Sequence, residues 1–143
     1  MARARIIVAF VAAVAILAST ATIAAANPLL GTWQSMYRGR DASSSLIYFV
    51  TFWPNGAYQT QIYFGANKRG KGAGLAVILG GYEVTGSNSF AYWEQRYLIC
   101  PGGANCGDYP HGDANFGRRK TSSFRLTGEY RMESGGMTWT RVQ

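Results

Sequence analysis

Histidine occurs once in the 143-residue chain, cysteine twice, and acidic side chains number 7 against 14 basic ones. With His111 as its single imidazole, the chain has little material for a histidine-based metal centre. Asp108, His111 and Asp113 do fall close together, but zinc ordinarily takes three or four nitrogen or sulfur ligands. A disulfide between Cys100 and Cys106 would remove the only thiols, so a solvated turn is expected there and no metal. No serine-nucleophile elbow and no zinc-hydrolase motif is present. Glu83 and Glu94 could form a carboxylate pair, yet nothing in the sequence fixes the separation that such chemistry requires. With no positive motif, the chain is not expected to be an enzyme or to carry a cofactor.

A near match to a phosphate-binding loop, Gly65-Ala66-Asn67-Lys68-Arg69-Gly70-Lys71-Gly72, fails twice. Gly72 stands where Ser or Thr would hold magnesium, and a strand-like run follows where a helix is needed. It reads as a flexible glycine loop. Sustained helical periodicity, internal repeats, low-complexity tails and second-domain linkers are also missing. What remains is one domain with one modest core.

The front of the chain is not part of that domain. Arg3 and Arg5 precede an unbroken apolar run over residues 6–18, and Ala24 and Ala26 fit an A-x-A cleavage site before Asn27. Residues 1–26 therefore read as a secretory signal peptide. The alternative is an uncleaved membrane anchor, since residues 6–26 nearly reach the length of a span; the alanine-rich end favours cleavage. No cysteine in the leader offers a lipid attachment point. The expected location is periplasmic or secreted, with no stable membrane span after cleavage. In that oxidising setting Cys100 and Cys106, which bracket five residues, most simply form a disulfide.

The remaining residues, 27–143, hold 12 basic and 7 acidic side chains, a net charge of +5 that suits anionic partners. They alternate short β-prone runs with turn signals. Strands are expected over residues 29–37, 45–53, 57–64, 75–85, 89–99, 122–126, 130–133 and 137–142. The strongest hairpin turns at Pro54-Asn55-Gly56, and Gly80-Gly81 marks a bend or bulge. Gly31 is expected to permit close backbone approach, and Trp33 to plug one barrel end. Eight short strands argue an all-β fold: a single eight-stranded antiparallel up-and-down barrel, or else a sandwich.

An up-and-down barrel would gather the long connections 38–44, 65–74 and 100–120 at one end with the turn 134–136, leaving tight turns at the other. That end would be a mouth carrying Arg38, Arg40, Lys68, Arg69, Lys71, Arg118, Arg119 and Lys120 against Asp41, Asp108 and Asp113. The entire net charge would then lie at the mouth, either drawing anions or simply sitting on solvated loops.

Gly31-Thr32-Trp33, the hairpin Phe52-Trp53-Pro54-Asn55-Gly56-Ala57-Tyr58, the run Gly81-Tyr82-Glu83-Val84-Thr85-Gly86 and the closing residues 137–142 carry a family likeness. Together they make the chain resemble the small bacterial secreted lipocalin-like proteins of the calycin superfamily, across most of residues 29–142. It is shorter than a typical lipocalin and has no C-terminal helix. Avidin-like barrels also start with Gly-Thr-Trp, but the later tryptophan pattern of a biotin site is not recognisable. The resemblance implies that Arg141 packs across Trp33, and that the interior binds a small, mostly apolar ligand.

The aromatic residues Tyr48, Phe52, Tyr58, Phe64, Tyr82 and Tyr92 are then the candidate ligand-binding residues, with core filling as their other role. The leading expectation is a non-catalytic exported barrel that binds a small apolar or amphipathic molecule, anionic if the basic mouth selects it. The competing one is a filled barrel acting through loops 65–74 and 100–120 on an envelope component or as an inhibitor. Nucleic acid is a poor fit to this compartment and to charge confined to loops.

Overall fold

The structure, a computed structural model, describes residues 26–40, 45–65 and 73–142. The expected leader, apart from Ala26, lies outside the described residues, as do Asp41 and the loop cations Lys68, Arg69 and Lys71. The described chain is all β. Its strands are β1 (Gly31–Tyr37), β2 (Leu46–Phe52), β3 (Ala57–Phe64), β4 (Gly74–Gly86), β5 (Ser89–Pro101), β6 (Gly107–Asp108), β7 (Lys120–Gly128), β8 (Arg131–Ser134) and β9 (Met137–Val142).

Every pairing is antiparallel. The order β4-β3-β2-β1-β9-β8-β7-β5 closes on itself through the β4–β5 hairpin, giving an eight-stranded up-and-down barrel. The two-residue β6 is an addition outside that ring, paired to the far half of β5 at Leu98 and Ile99. The closure removes the exposed edges that a flat sheet of these strands would present.

Alternation along each strand sorts the side chains. Val50 and Phe52 on β2, Tyr58 on β3, Tyr82 on β4, Phe90 on β5, Phe124 on β7 and Met132 on β8 meet in one core with Trp33 and Leu29. The opposite face of β4 carries Leu75, Val77 and Leu79, which form a separate small cluster with Leu98 and Cys100. Cys100 is bonded to Cys106. The loop that this disulfide closes turns the chain back to form β6.

One end is sealed. The first strand begins at Gly31 rather than at Leu29, and residues 27–30 turn across the barrel end instead. Leu29 and Trp33 are both completely buried there, and the indole Nε1–H donates to the Leu29 carbonyl at 2.8 Å. Arg141, the β9 partner of Trp33, lays its guanidinium 4.5 Å from the indole centroid and donates from Nη2 to the Pro28 carbonyl at 2.8 Å. Asn27 donates to the Tyr82 hydroxyl, which in turn donates to the Trp53 carbonyl. Gly31 has a different role from the one expected. A β-carbon there would meet nothing within 4 Å, and the glycine instead supplies a φ of +104° where the cap turns into β1.

Close backbone approach is needed elsewhere, at Gly80 and Gly81. The β4–β5 register shifts between Leu79 and Gly80, so that Leu79 faces Arg96 while Gly80 faces Glu94, with Gln95 as the extra residue. A β-carbon on Gly80 would lie 2.1 Å from the Trp93 carbonyl oxygen and 2.7 Å from the Tyr58 ring. On Gly81 it would lie 2.4 Å from the Trp93 indole. The bulge bends the hairpin around the barrel at the level where the interior opens.

Candidate ligand-binding site

β7, β8 and β9 are shorter than the β4–β5 hairpin, so the barrel wall is low on their side. A half-open cavity of about 200 Å³ occupies the interior there. Phe52, Phe90 and Met132 join it to the sealed core, Val50, Tyr58, Tyr92 and Trp139 contribute to its wall, and Ser134, Gly135 and Met137 of the β8–β9 turn form one side. The lining is mostly apolar, with Thr60, Ser122, Ser134 and the phenols of Tyr58 and Tyr92 as its hydroxyl-bearing side chains. A buried apolar cavity of roughly 150 Å³ already holds benzene, whereas pockets for drug-sized molecules start near about 300 Å³. The space therefore matches one or two rings, or a short chain.

Of the six candidate aromatics, the structure brings Phe52, Tyr58 and Tyr92 together in the wall. The other three lie elsewhere. Tyr82 belongs to the sealed end, its ring 4.8 Å from Phe52 and its hydroxyl committed to the cap. Tyr48 packs edge-on against Trp139 at 6.3 Å. The Phe64 ring lies against Gly74, where it would clash with a β-carbon.

The charged residues separate by strand alternation. β7 starts at Lys120, inside what reads from sequence as irregular connection, and its register pairs Lys120 with Tyr92. The Lys120 ammonium sits 5.8 Å from the Tyr92 centroid and 2.8 Å from Glu94 Oε1, so the pair shares the interior side with the cavity wall. Asp113 adds a second carboxylate 3.7 Å from the same ammonium. Arg119, one residue earlier, points to the other side, 5.7 Å from the Trp93 ring and bonded to Glu83. Arg118, Arg119 and Lys120 are thus not one cationic cluster. Glu83 and Glu94 bind different cations on opposite faces of the hairpin. Arg38 lies on the exposed segment after β1, together with Arg40.

These contacts set the ionisation of the interior. Burial pushes the Tyr58 phenol far above its ordinary value of 10.0, and the charge of Glu94 and the neighbouring Tyr92 add to the shift. Tyr58 keeps its proton throughout the physiological range. The hydrogen bond to Glu94 raises the Lys120 ammonium above its ordinary value of 10.5, outweighing the opposing effect of burial. Glu94 is only 13 % exposed, and its Oε2 is buried with no hydrogen-bond partner among the described residues.

The loop over residues 109–116 adds an aromatic group at the same end. His111 stacks on Phe116 at 4.8 Å and meets Tyr97 edge-on at 4.9 Å, while its Nδ1 accepts the Asp113 N–H. Asp108 instead pairs twice with Arg96, and Asp113 accepts from the Asn115 N–H. Asp108, His111 and Asp113 are therefore directed to separate partners rather than to a common centre.

Sequence reasoning missed Val50, Phe90, Met132 and Trp139 in the wall, and the interior position of Lys120. The period-two run Phe90, Tyr92, Glu94 was the available signal for the last, since it puts Glu94 on the tyrosine's face. Against known proteins the outcome is negative: no protein-family model, no curated protein and no solved structure matches this chain.

Proposed function

We propose that this protein is a non-catalytic, exported barrel that carries one small apolar or amphipathic molecule in its interior. The observation that carries the reading is the half-open cavity of about 200 Å³ lined by Val50, Phe52, Tyr58, Tyr92, Met132 and Trp139. With a sealed floor below, the low wall at the β8–β9 turn is an open side among the described residues. Burying such a molecule against these side chains would contribute about 25 cal/mol per Å² of apolar surface removed from water. Membership of the lipocalin-like calycin group belongs to the same reading, supported by the barrel order, the Gly31-Thr32-Trp33 start and the Arg141–Trp33 stack. Export is supported by the leader pattern and by the Cys100–Cys106 disulfide, which suits a periplasmic or extracellular setting.

Native mass spectrometry of the protein purified from its export compartment tests this. The expected result is a co-purifying small molecule at about one per chain, released by denaturation. An empty protein that also takes up no small aromatic probe would overturn the carrier reading. It would favour action through the surface loops 65–74 and 100–120.

A further inference from the structure

Strand alternation gives the barrel an outer face that the cavity does not account for. With Trp33, Val50 and Tyr58 turned to the core, Met36 on β1, Ile47 and Phe49 on β2 and Tyr63 on β3 point outward. The register sets Met36 beside Ile47 and Ile47 beside Tyr63, and the Phe49 ring meets Tyr63 edge-on at 5.8 Å. These side chains form one apolar row across three strands. On β4 the row runs into Leu75, already buried in the small cluster with Val77 and Cys100, so its open part is β1–β3. Met36 is 49 % exposed, Tyr63 40 % and Tyr37, at the end of β1, 56 %. The outward faces of β7 and β9 differ: they carry Thr121, Arg125, Thr138 and Thr140, the polar residues that a water-facing wall calls for.

Charge sorts in the same way. β1, β2 and β3 contain no Asp, Glu, Lys or Arg. Arg38 and Arg40 follow directly on Met36 and Tyr37, exposed and in no ion pair among the described residues. We infer that this face docks on an anionic lipid bilayer. Met36, Tyr37 and Tyr63 enter the headgroup boundary, and Arg38 and Arg40 bind the lipid phosphates. Apolar burial and attraction to anionic headgroups add in such binding, and tyrosine suits that boundary because its ring is apolar and its hydroxyl polar. A folded protein partner matches less well. A standard interface takes about 800 Å² from each side, whereas these residues make a narrow strip at the strand ends opposite the sealed floor. A second copy seated on the same face would offer Arg38 and Arg40 no carboxylate from these strands.

Co-sedimentation of the protein, purified from its export compartment, with two kinds of vesicle tests this: phosphatidylcholine mixed with phosphatidylglycerol, and phosphatidylcholine alone. The expected result is binding to the mixed vesicles that weakens as salt is raised, and little binding to phosphatidylcholine. An arginine near an anionic surface is worth about fivefold, so Arg38→Gln with Arg40→Gln should weaken binding about twenty- to thirtyfold. Met36→Gln with Tyr63→Gln should weaken it with no change in protein charge. Leu126→Gln with Val142→Gln, comparably exposed apolar residues on β7 and β9, should leave it unaltered. Every position changed is exposed, so the variants should keep the fold, which circular dichroism checks. Wild-type protein that stays in solution with the mixed vesicles overturns the inference. So does equal binding to both vesicles, or binding that the arginine and Met36–Tyr63 substitutions leave intact. A dimer that Tyr63→Gln disperses, without vesicle binding, overturns it in favour of self-association. None of these outcomes depends on what the cavity holds.

Discussion

Replacing Trp33 by alanine tests the sealed end most directly. The indole is completely buried in one core with Leu29, Phe52, Tyr82, Phe90, Phe124 and Met132. Truncating a large aromatic in such a core costs about 3–5 kcal/mol. The same change removes the Nε1–H donor at 2.8 Å from the Leu29 carbonyl and the surface over which Arg141 is stacked at 4.5 Å. Against a typical total of about 5–15 kcal/mol for a domain, the variant should be near the limit of folding. Two milder changes divide the effect. Trp33→Phe keeps a ring but leaves the Leu29 carbonyl unpaired, at about 1–3 kcal/mol. A double-mutant cycle of Trp33→Leu with Arg141→Met isolates the cation–π contact, expected at about 0.5–2 kcal/mol. Equilibrium urea unfolding followed by circular dichroism measures each, with stability changes read from midpoints at unchanged slope. A loss below about 1 kcal/mol for Trp33→Ala would refute the reasoning, because no fully buried indole with these contacts should be so cheap to remove.

Gly80→Ala should destabilise far more than Gly81→Ala, since the first would strike a backbone carbonyl at 2.1 Å and the second the indole of Trp93, which can turn aside. Equal thermal midpoints for the two would refute this account of the β4–β5 bulge. Stability should also fall in alkali. The unfolded Tyr58 loses its proton near its ordinary value of 10.0 while the folded one retains it, so its contribution is complete below that pH and is lost above it. The slope is at most about 1.4 kcal/mol per pH unit for one proton. Tyr82 and Lys120, both also raised, act in the same direction. Urea midpoints taken from about pH 8 to about pH 11 should decline less steeply for Tyr58→Phe than for wild type, and identical slopes would contradict the placement of Tyr58.

Pattern and turn chemistry determine the strands. Alternating β-prone runs separated by Asn-Gly, Ser-Asn and Gly-Gly turns specify short antiparallel strands locally, which suits a barrel or a sandwich, and the tertiary pairing of β4 with β5 closes the sheet into a barrel. The pairing of Cys100 with Cys106 is equally legible, because the chain has no third cysteine and five intervening residues make a short loop to close. Tertiary structure decides what those patterns leave free. Whether Leu29 and Asn27 extend β1 or fold across its end depends on the core that receives them, not on their own propensity. Which tyrosines face the cavity depends on where along the barrel the packing stops: Tyr82 shares a face with the wall but lies below its floor. The fate of Arg119 and Lys120 turns on β7 beginning two residues earlier than its apolar pattern suggests, since one step of register sends neighbouring side chains to opposite faces. That step puts one cation outside on Glu83 and draws the other inside to Glu94, where burial gives a charge pair an influence that no count of loop charges along the chain conveys.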